Sequence, residues 1–214
     1  MRRDRTSCRS APHEARYLKV VLASANRGKL RELAALLAPL GWQLVPQQQL
    51  GMEAARETGA TFAENALLKA RHAARVAALP ALADDSGIEV DALGGRPGVW
   101  SARYAGEQAS DRENLEKMLE ELREVPAERR TARYRCVIAY VRSAADPRPL
   151  IVEGCWEGSI AGAPRGSGGF GYDPIFVPHD DGRTAAELAP GEKDAVSHRA
   201  RALASLLAQL RGKL

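Results

Sequence analysis

Apolar residues along the chain alternate between short runs typical of buried strands and longer stretches with helical spacing. Residues Leu18–Ala23 form a short apolar run that predicts a buried strand, and the polar segment Ser24–Lys29 follows it. The next stretch has one apolar helix face, formed by Leu30, Leu33, Leu36, Leu37 and Leu40. Pro39 and Gly41 end this predicted helix. The unit is therefore a strand, a polar loop containing glycine, and a helix.

A second amphipathic stretch predicts a long helix that begins at a capping box. Thr61–Glu64 has the capping-box pattern, and the helical spacing of small apolar residues continues to about Leu79. Asn65, Lys69 and His72 fall together on another face of this helix at about 100° per residue. The pattern thus places three polar side chains together on a face other than the buried one.

The remaining pattern mixes strands and helices. Residues 81–83 predict a short strand that runs into Asp84–Gly87, and extended structure resumes over residues 88–91. Further elements are a helix over 111–122, paired strands over 134–141 and 150–156, and a last helix capped by Ser197. This irregular alternation predicts an α/β fold with a mixed central β-sheet flanked by helices.

Composition and charge narrow the class of protein. With 214 residues, 45% of them apolar, the chain can bury a core without disulfides or metal staples, and no apolar run has the length of a membrane span. The net charge of +4 suggests a nucleic-acid partner, but residues 1–16 contribute +3 of it. The rest of the chain has 26 basic and 25 acidic residues, which favours a small polyanion over a nucleic acid.

The arginine-rich N-terminus is predicted to lie outside the folded domain. Residues 1–17 lack the apolar core of a signal peptide, so we expect a disordered extension before a single domain over residues 18–214. Three cysteines are too few for a disulfide framework and fit a reducing compartment. We therefore expect a cytoplasmic protein without membrane contact.

Four polar segments are candidates for chemistry, beginning with the loop Ser24–Lys29. A strand that enters a helix through small and polar residues leaves backbone N–H groups and the helix dipole facing an anion. The loop lacks the spacing of a standard P-loop, and a plain turn with a solvated lysine remains an alternative.

The second segment, Asp84–Gly87, places two carboxylates next to each other after an apolar strand. A cation between Asp84 and Asp85 would relieve their repulsion, and oxygen ligands suit Mg²⁺. Glu57 is a third carboxylate that could converge on this site. The alternative is a turn in which one aspartate bonds the local backbone.

The last two segments lie near the C-terminus. Glycines in the stretch 166–174 permit close approach of a ligand, and Phe170 offers a flat face for a base. Lys193, His198 and Arg199 add donors around the start of the last helix, where an anion or carbonyl would be their natural partner. A flexible surface loop and an exposed helix start are the structural alternatives.

Together the four segments supply what a nucleoside triphosphate needs: helix terminus and lysines for phosphates, carboxylates for magnesium, and an aromatic ring for a base. In the same order, the motifs SANRGK, ETGATFAENALLKA, ADDSG, GGRPGVWSARYAG, GGFGYDPIF and TAAELAPGEKDAVSHR make the chain resemble the inosine triphosphate pyrophosphatase family. The resemblance, closest to the bacterial dITP/XTP pyrophosphatase branch, runs from about Lys19 to Arg211.

The resemblance implies a two-lobed homodimeric enzyme that hydrolyses ITP, dITP or XTP to the monophosphate and pyrophosphate with Mg²⁺. It implies that Asp85 is the acid/base carboxylate and, together with Glu57, a metal ligand. The residues that it implies for substrate binding are Ser24, Ala25, Asn26, Arg27, Gly28, Lys29, Lys69, Ser86, Phe170, Gly171, Tyr172, Asp173, Lys193, His198 and Arg199.

The chain departs from the family pattern at one position. Some relatives have two glutamates before the Thr-Gly pair, whereas this chain has Arg56 and Glu57. If the first glutamate is the metal ligand in those relatives, Glu57 or a water must take its place here. Two other functions stay open: a nucleic-acid-binding protein, suggested by the pI near 9.1, and a nucleotide-binding regulator without catalysis.

Overall fold

A computed structural model of the chain describes residues 18–211, so the predicted extension of residues 1–17 lies outside the described part. The strands are β1 Lys19–Leu22, β2 Gln43–Pro46, β3 Ala81–Val90, β4 Thr131–Val141, β5 Leu150–Ile160 and β6 Phe176–Pro178. The helices are α1 Arg27–Leu37, α2 Phe62–Ala77, α3 Asp111–Glu121, α4 Pro190–Val196 and α5 His198–Arg211. Within residues 18–211, no helix is long and apolar enough to cross a membrane.

All six strands form one mixed sheet in the order β2-β1-β3-β4-β5-β6, which confirms the predicted α/β class. β1 pairs in parallel with β2 and β3, and the pairs β3–β4, β4–β5 and β5–β6 are antiparallel. The long strand β3 lies between the parallel and antiparallel halves, so side chains at its middle have neighbours from both.

Helices cover both faces of this sheet. On one face, α2 packs its alanines against alternate residues of β1, β3 and β4, including Ala81 and Ala83. On the other face, α1 and α5 pack against Leu82, Ile138 and their neighbours. A further core on the side of Leu82 contains Ile88 and Val90 from the far end of β3, together with residues of α3.

The sequence predictions hold for most elements and fail at four places. Thr61 caps α2 in a full capping box, as predicted. Strands β2 and β6 at the two sheet edges and the short helix α4 were not predicted. Asp84–Gly87 is the middle of one continuous strand, not a break between two, because β4 pairs with β3 along its entire length.

Candidate active site

The two adjacent aspartates of β3 point to opposite faces of the sheet. Asp85 lies on the same face as Ala81 and Ala83, under α2, because side chains alternate along a strand. Asp84 lies on the face of Leu82, toward α1 and α5. The prediction of one cation between the two carboxylates is therefore wrong, and so is the alternative of a local turn.

Asp84 is buried, and its Oδ2 lies among two cations and a hydroxyl, whereas its Oδ1 has no hydrogen-bond partner among the described residues. Its Oδ2 lies 3.2 Å from Lys29 Nζ and 3.4 Å from Arg199 Nε, and it accepts a hydrogen bond from Ser86 Oγ at 3.3 Å. Burial would raise the pKa of Asp84, but Lys29, Arg199 and Lys69 together hold it well below its usual range. Asp84 is thus a permanent anion that fixes the cations around it.

Asp85 has a different set of neighbours. Its Oδ1 accepts from Lys69 Nζ at 2.8 Å, and its Oδ2 accepts from Asn65 Nδ2 at 3.2 Å. The same Lys69 Nζ donates to Glu57 Oε1 at 2.8 Å. Burial raises the pKa of Asp85, and the neighbouring Lys69 and Lys29 offset that rise only in part. The carboxylate is therefore more basic than an ordinary aspartate.

Residues 56 and 57 separate clearly in space. Arg56 is exposed, whereas Glu57 turns toward Lys69 and Arg103. Burial would raise the pKa of Glu57, but Lys69 and Arg103 lower it below its usual value. The structure thus brings Glu57 and Asp85 together at one ammonium group, which supports the choice of Glu57 over its neighbour.

The polar loop after β1 ends earlier than predicted. Asn26 is the N-cap of α1, and its Oδ1 accepts from the backbone N–H of Lys29 at 3.0 Å. Arg27, Gly28 and Lys29 therefore form the first helical turn. The N–H groups of Arg27 and Gly28 have no carbonyl partner inside the helix, which leaves them free for an anion.

A pocket on the Asp84 face gathers most of the predicted substrate residues. Its predicted lining residues are Asn26, Lys29, Ser86, Phe170, Gly171, Tyr172, Asp173, Lys193, His198 and Arg199. The predicted residues of the same loop and helix start that do not line it are Ser24, Ala25, Arg27 and Gly28. Asp85, Glu57 and Lys69 lie on the opposite face of β3. Lys29 acts electrostatically on both Asp84 and Asp85, and so connects the two parts.

The aromatic loop is held in place by Asp173. Its Oδ2 accepts from Lys193 Nζ at 2.6 Å and from the backbone N–H of Phe170 at 2.9 Å. Its Oδ1 accepts from the hydroxyl of Tyr134 at 3.2 Å. Asp173 therefore shapes the loop, while its predicted direct contact with a base stays a prediction. The Phe170 ring has Lys193 Nζ at 4.9 Å from its centroid.

His198 and Arg199 enter the pocket from the start of α5. Ser197 caps this helix through a hydrogen bond from the N–H of Ala200, as predicted. The helix can lie this close to β5 because position 154 is glycine: a Cβ there would be 2.1 Å from the carbonyl oxygen of His198.

The two side chains differ in charge. Arg199 pairs with Asp84 and Glu32 and donates to Ser86 Oγ at 3.0 Å, so its anionic partners belong to the protein itself. Burial and the adjacent Arg199 and Lys193 hold the pKa of His198 well below its usual value. The imidazole is therefore neutral, and it stacks on Tyr134 with ring centroids 4.6 Å apart.

Glu32, Tyr134 and Arg103 are site residues that sequence reasoning missed. Glu32 is buried on α1 and binds both Lys193 and Arg199, which are 161 and 167 positions away in the chain. Nothing in the local sequence marks it, since an isolated glutamate in a helix is ordinarily exposed. Arg103 belongs to the motif GGRPGVWSARYAG, but the family resemblance implies no role for this arginine.

Comparison with known proteins identifies the family of this chain. A sequence model of the Ham1 family matches residues 20–209. The chain is 58% identical to the dITP/XTP pyrophosphatase of Escherichia coli (strain K12) and 60% identical to that of Yersinia pseudotuberculosis; each match covers 90% of this chain and 98% of the relative. A HAM1 protein structure from Coxiella burnetii superposes with a TM-score of 0.84 and 51% identity, covering 91% of this chain and 99% of that one. This chain therefore belongs to the Ham1 family.

Proposed function

We propose that this protein hydrolyses the non-standard purine nucleoside triphosphates ITP, dITP and XTP to the monophosphate and pyrophosphate, with Mg²⁺. The observation that carries the proposal is the pairing of an aromatic, cation-lined pocket with a basic carboxylate across strand β3. The names of the relatives, dITP/XTP pyrophosphatases at 57–60% identity, point to the same reaction. Such an enzyme would remove these nucleotides from the nucleotide pool.

The pocket suits the base and sugar end of the substrate. The Phe170 ring offers a stacking face between Lys193 and Arg199, which lie 4.9 and 5.9 Å from its centroid. Neutral His198 has a buried Nδ1 without a hydrogen-bond partner among the described residues. A base whose polar edge pairs with the donors and acceptors lining this pocket would be preferred, and one that leaves them unpaired would be rejected.

The triphosphate would extend from this pocket toward the start of α1 and Lys69. The free N–H groups of the first helical turn, Lys29 and the α1 dipole attract phosphate oxygens. Lys29 is anchored by Asp84, so its ammonium is already in place when the substrate enters. Pre-placed cations stabilise the charge that develops on the departing pyrophosphate.

Glu57 and Asp85 would hold the Mg²⁺ ion. Each lies 2.8 Å from Lys69 Nζ, so the two carboxylates already converge on one cation. Residues 18–211 contain no group of three or more His, Cys, Asp or Glu side chains that could hold a metal. Two carboxylates completed by waters and phosphates are a common arrangement for Mg²⁺, so the residues fit. When bound, Mg²⁺ neutralises phosphate charge and polarises the phosphoryl oxygen.

Asp85 would act as the general base. Its raised pKa strengthens it as a proton acceptor, and Asn65 and Lys69 fix the direction of both oxygens. It orients a water molecule toward the α-phosphorus and takes up one proton from it. The bond from the α-phosphorus to the bridging oxygen breaks, and pyrophosphate leaves.

A panel of nucleotides with identified products tests this function. We expect ITP, dITP and XTP to yield pyrophosphate, and ATP to react at least about 100-fold more slowly, because hydrogen-bond readout supports discrimination of that order or more. Equal turnover of ATP and ITP, or orthophosphate as the first product, would contradict the proposal. Binding of ITP without turnover at any Mg²⁺ concentration would instead identify a nucleotide-binding regulator.

We further propose that the protein is a homodimer, as the family resemblance suggests. Sedimentation velocity at micromolar concentration should give a species of twice the 23.1 kDa chain mass. A single species at the monomer mass would contradict the dimer.

The absence of nucleic-acid binding is a separate expectation: salt-sensitive affinity for duplex DNA that persists in residues 18–214 would overturn it.

A further inference from the structure

We propose that Arg103, held against Trp100, is a positioning residue that keeps Glu57 turned toward Asp85 and thereby sets the affinity of this carboxylate pair for a divalent cation. The inference rests on the proposed function, in which Glu57 and Asp85 hold the metal. It gives a role to Arg103 of the motif GGRPGVWSARYAG, whose Ser101 and Ala102 line the substrate pocket while Arg103 does not.

Glu57 depends on other side chains for its position. Residues 52–59 are neither helix nor strand, and side chains of α2 bond this backbone at Glu53 and Gly59, so the Glu57 carboxylate owes its direction to its own contacts. Within residues 18–211, its carboxylate contacts two cations. Oε1 accepts from Lys69 Nζ at 2.8 Å, and Oε2 accepts from the Arg103 guanidinium at 3.2 Å.

Arg103, in contrast, is attached to a rigid frame. It ends the 3₁₀ turn Gly98–Arg103, in which Ser101 Oγ accepts from the backbone N–H of Ile88 on β3 at 2.9 Å. The hydroxyl of Tyr172 donates to the carbonyl oxygen of Ser101 at 2.8 Å. The Arg103 guanidinium stacks 4.4 Å from the centroid of the Trp100 ring, and its side chain is only 17% exposed.

Lys69 and Arg103 have different roles, because only Lys69 pairs with both Glu57 and Asp85. Lys69 Nζ is shared by Glu57 Oε1 and Asp85 Oδ1, which belong to the two carboxylates that would hold a divalent cation. A cation held by both carboxylates would compete with this ammonium. Arg103 binds the other oxygen, Oε2, and makes no ion pair with Asp85 among the described residues. It can therefore keep Glu57 oriented after Lys69 has moved.

Electrostatic repulsion alone predicts the opposite effect of Arg103 on metal affinity, which makes the inference testable. A guanidinium near a divalent cation repels it, so removal of Arg103 would tighten metal binding if repulsion dominated. If orientation dominates, removal of Arg103 weakens metal binding, because the loop carboxylate loses its anchor. Arg103→Lys retains the charge but loses the planar stack on Trp100, so it separates the two effects.

The test is a titration of the full-length, nucleotide-free protein with Mn²⁺. The concentration of free Mn²⁺ is measured by its electron paramagnetic resonance signal. We expect Arg103→Met to raise the Mn²⁺ dissociation constant about 10-fold, Arg103→Lys to have a smaller effect in the same direction, and Trp100→Ala to resemble Arg103→Lys. Arg112→Met is the matched control, because Arg112 is 86% exposed and its one ion pair within residues 18–211 is with Glu116 on its own helix. It should leave Mn²⁺ binding unchanged.

Unchanged or tighter Mn²⁺ binding in Arg103→Met would overturn the inference, and so would a wild-type protein without a saturable Mn²⁺ site. If Arg103→Met does not fold, Arg103→Lys and Trp100→Ala carry the test. In steady-state assays, the Mg²⁺ concentration for half-maximal rate should rise while KM for ITP at saturating Mg²⁺ stays within about 2-fold. An equal rise in the half-maximal Mg²⁺ concentration and in KM for ITP would show that Arg103 contacts the nucleotide instead. Failure of the proposed function is separate: the wild type would then release no pyrophosphate, whatever its Mn²⁺ affinity.

Discussion

Asp84 and Asp85 are neighbours on β3, yet their surroundings give them opposite properties. Asp84 pairs with Lys29 and Arg199 on the face of α1 and α5, and its pKa is lowered. Asp85 pairs with Lys69 on the face of α2, and its pKa is raised. The alternation of a single strand thus produces one carboxylate suited to hold cations in place and one suited to accept a proton.

The difference extends to what each face supplies. The Asp84 face holds the pocket with Phe170, His198 and Lys193, and its charges are almost fully paired inside the protein. On the Asp85 face, Lys69 pairs with both Asp85 and Glu57. A divalent cation can take the place of the lysine ammonium between these carboxylates. In the proposed function, recognition and chemistry are therefore divided between the two faces of β3.

The largest effect that we expect is the loss of catalysis in Asp85→Asn. Removal of a general base ordinarily costs about 10²–10⁴ in rate, so kcat for ITP should fall by that factor. Nucleotide binding, measured by calorimetry, should persist, because the pocket lies on the other face. An Asp85→Asn enzyme with wild-type kcat would remove Asp85 from the reaction.

Asp84→Asn should damage stability instead. The substitution leaves Lys29 and Arg199 with one anionic partner fewer in a buried setting, which should cost about 3 kcal/mol in the free energy of unfolding. Urea unfolding measures this directly, with Asp85→Asn as the matched control. We expect Asp85→Asn to stay within about 1.5 kcal/mol of the wild type, because burial already disfavours its charge. Equal destabilisation by both variants would contradict the division of roles.

A third substitution tests the pocket without touching a charge. In Gly28→Ala, the new Cβ would lie 2.6 Å from Phe170 Cδ1, so the aromatic ring must move. Loss of its stacking position should raise KM for ITP about 5- to 10-fold and leave kcat nearly unchanged. Gly191→Ala is the matched control, since Gly191 occupies the same second position of α4 and a Cβ there meets nothing within 4 Å. The same rise in KM in both variants would show that Phe170 is not the cause.

The smallest effect concerns pH and follows from the two pKa shifts. The lowered pKa of Asp84 means that its ionised form stabilises the fold at neutral pH, and this contribution is lost as pH falls below about 4. The stability deficit of Asp84→Asn should therefore shrink below that pH. The raised pKa of Asp85 gives the reverse sign: its ionisation costs stability at neutral pH, and the cost disappears on acidification. Between pH 7 and about pH 2.5, the unfolding free energies of the two variants relative to wild type should therefore move in opposite directions.

Much of the site could be predicted from local sequence because the signals are local. The capping box fixed the start of α2, and the helical spacing from there correctly placed Asn65 and Lys69 on one face. The strand, loop and helix at residues 18–40 were predicted for the same reason, although α1 begins at Arg27.

Long-range pairing accounts for what local sequence did not show. Asp84–Gly87 reads as a turn in isolation, and only its pairing with β4 over ten positions makes it a strand. That pairing separates the two aspartates, which no spacing rule on one segment could indicate. Glu32 is buried only because Lys193 and Arg199 reach it from the other end of the chain.

The central claim is that a water molecule oriented by Asp85 attacks the α-phosphorus of the nucleotide. Hydrolysis of ITP in water enriched in oxygen-18, followed by mass spectrometry of both products, tests it most directly. We predict that the heavy oxygen appears in the inosine monophosphate and not in the pyrophosphate. Label in the pyrophosphate would place the attack at the β-phosphorus and contradict the account.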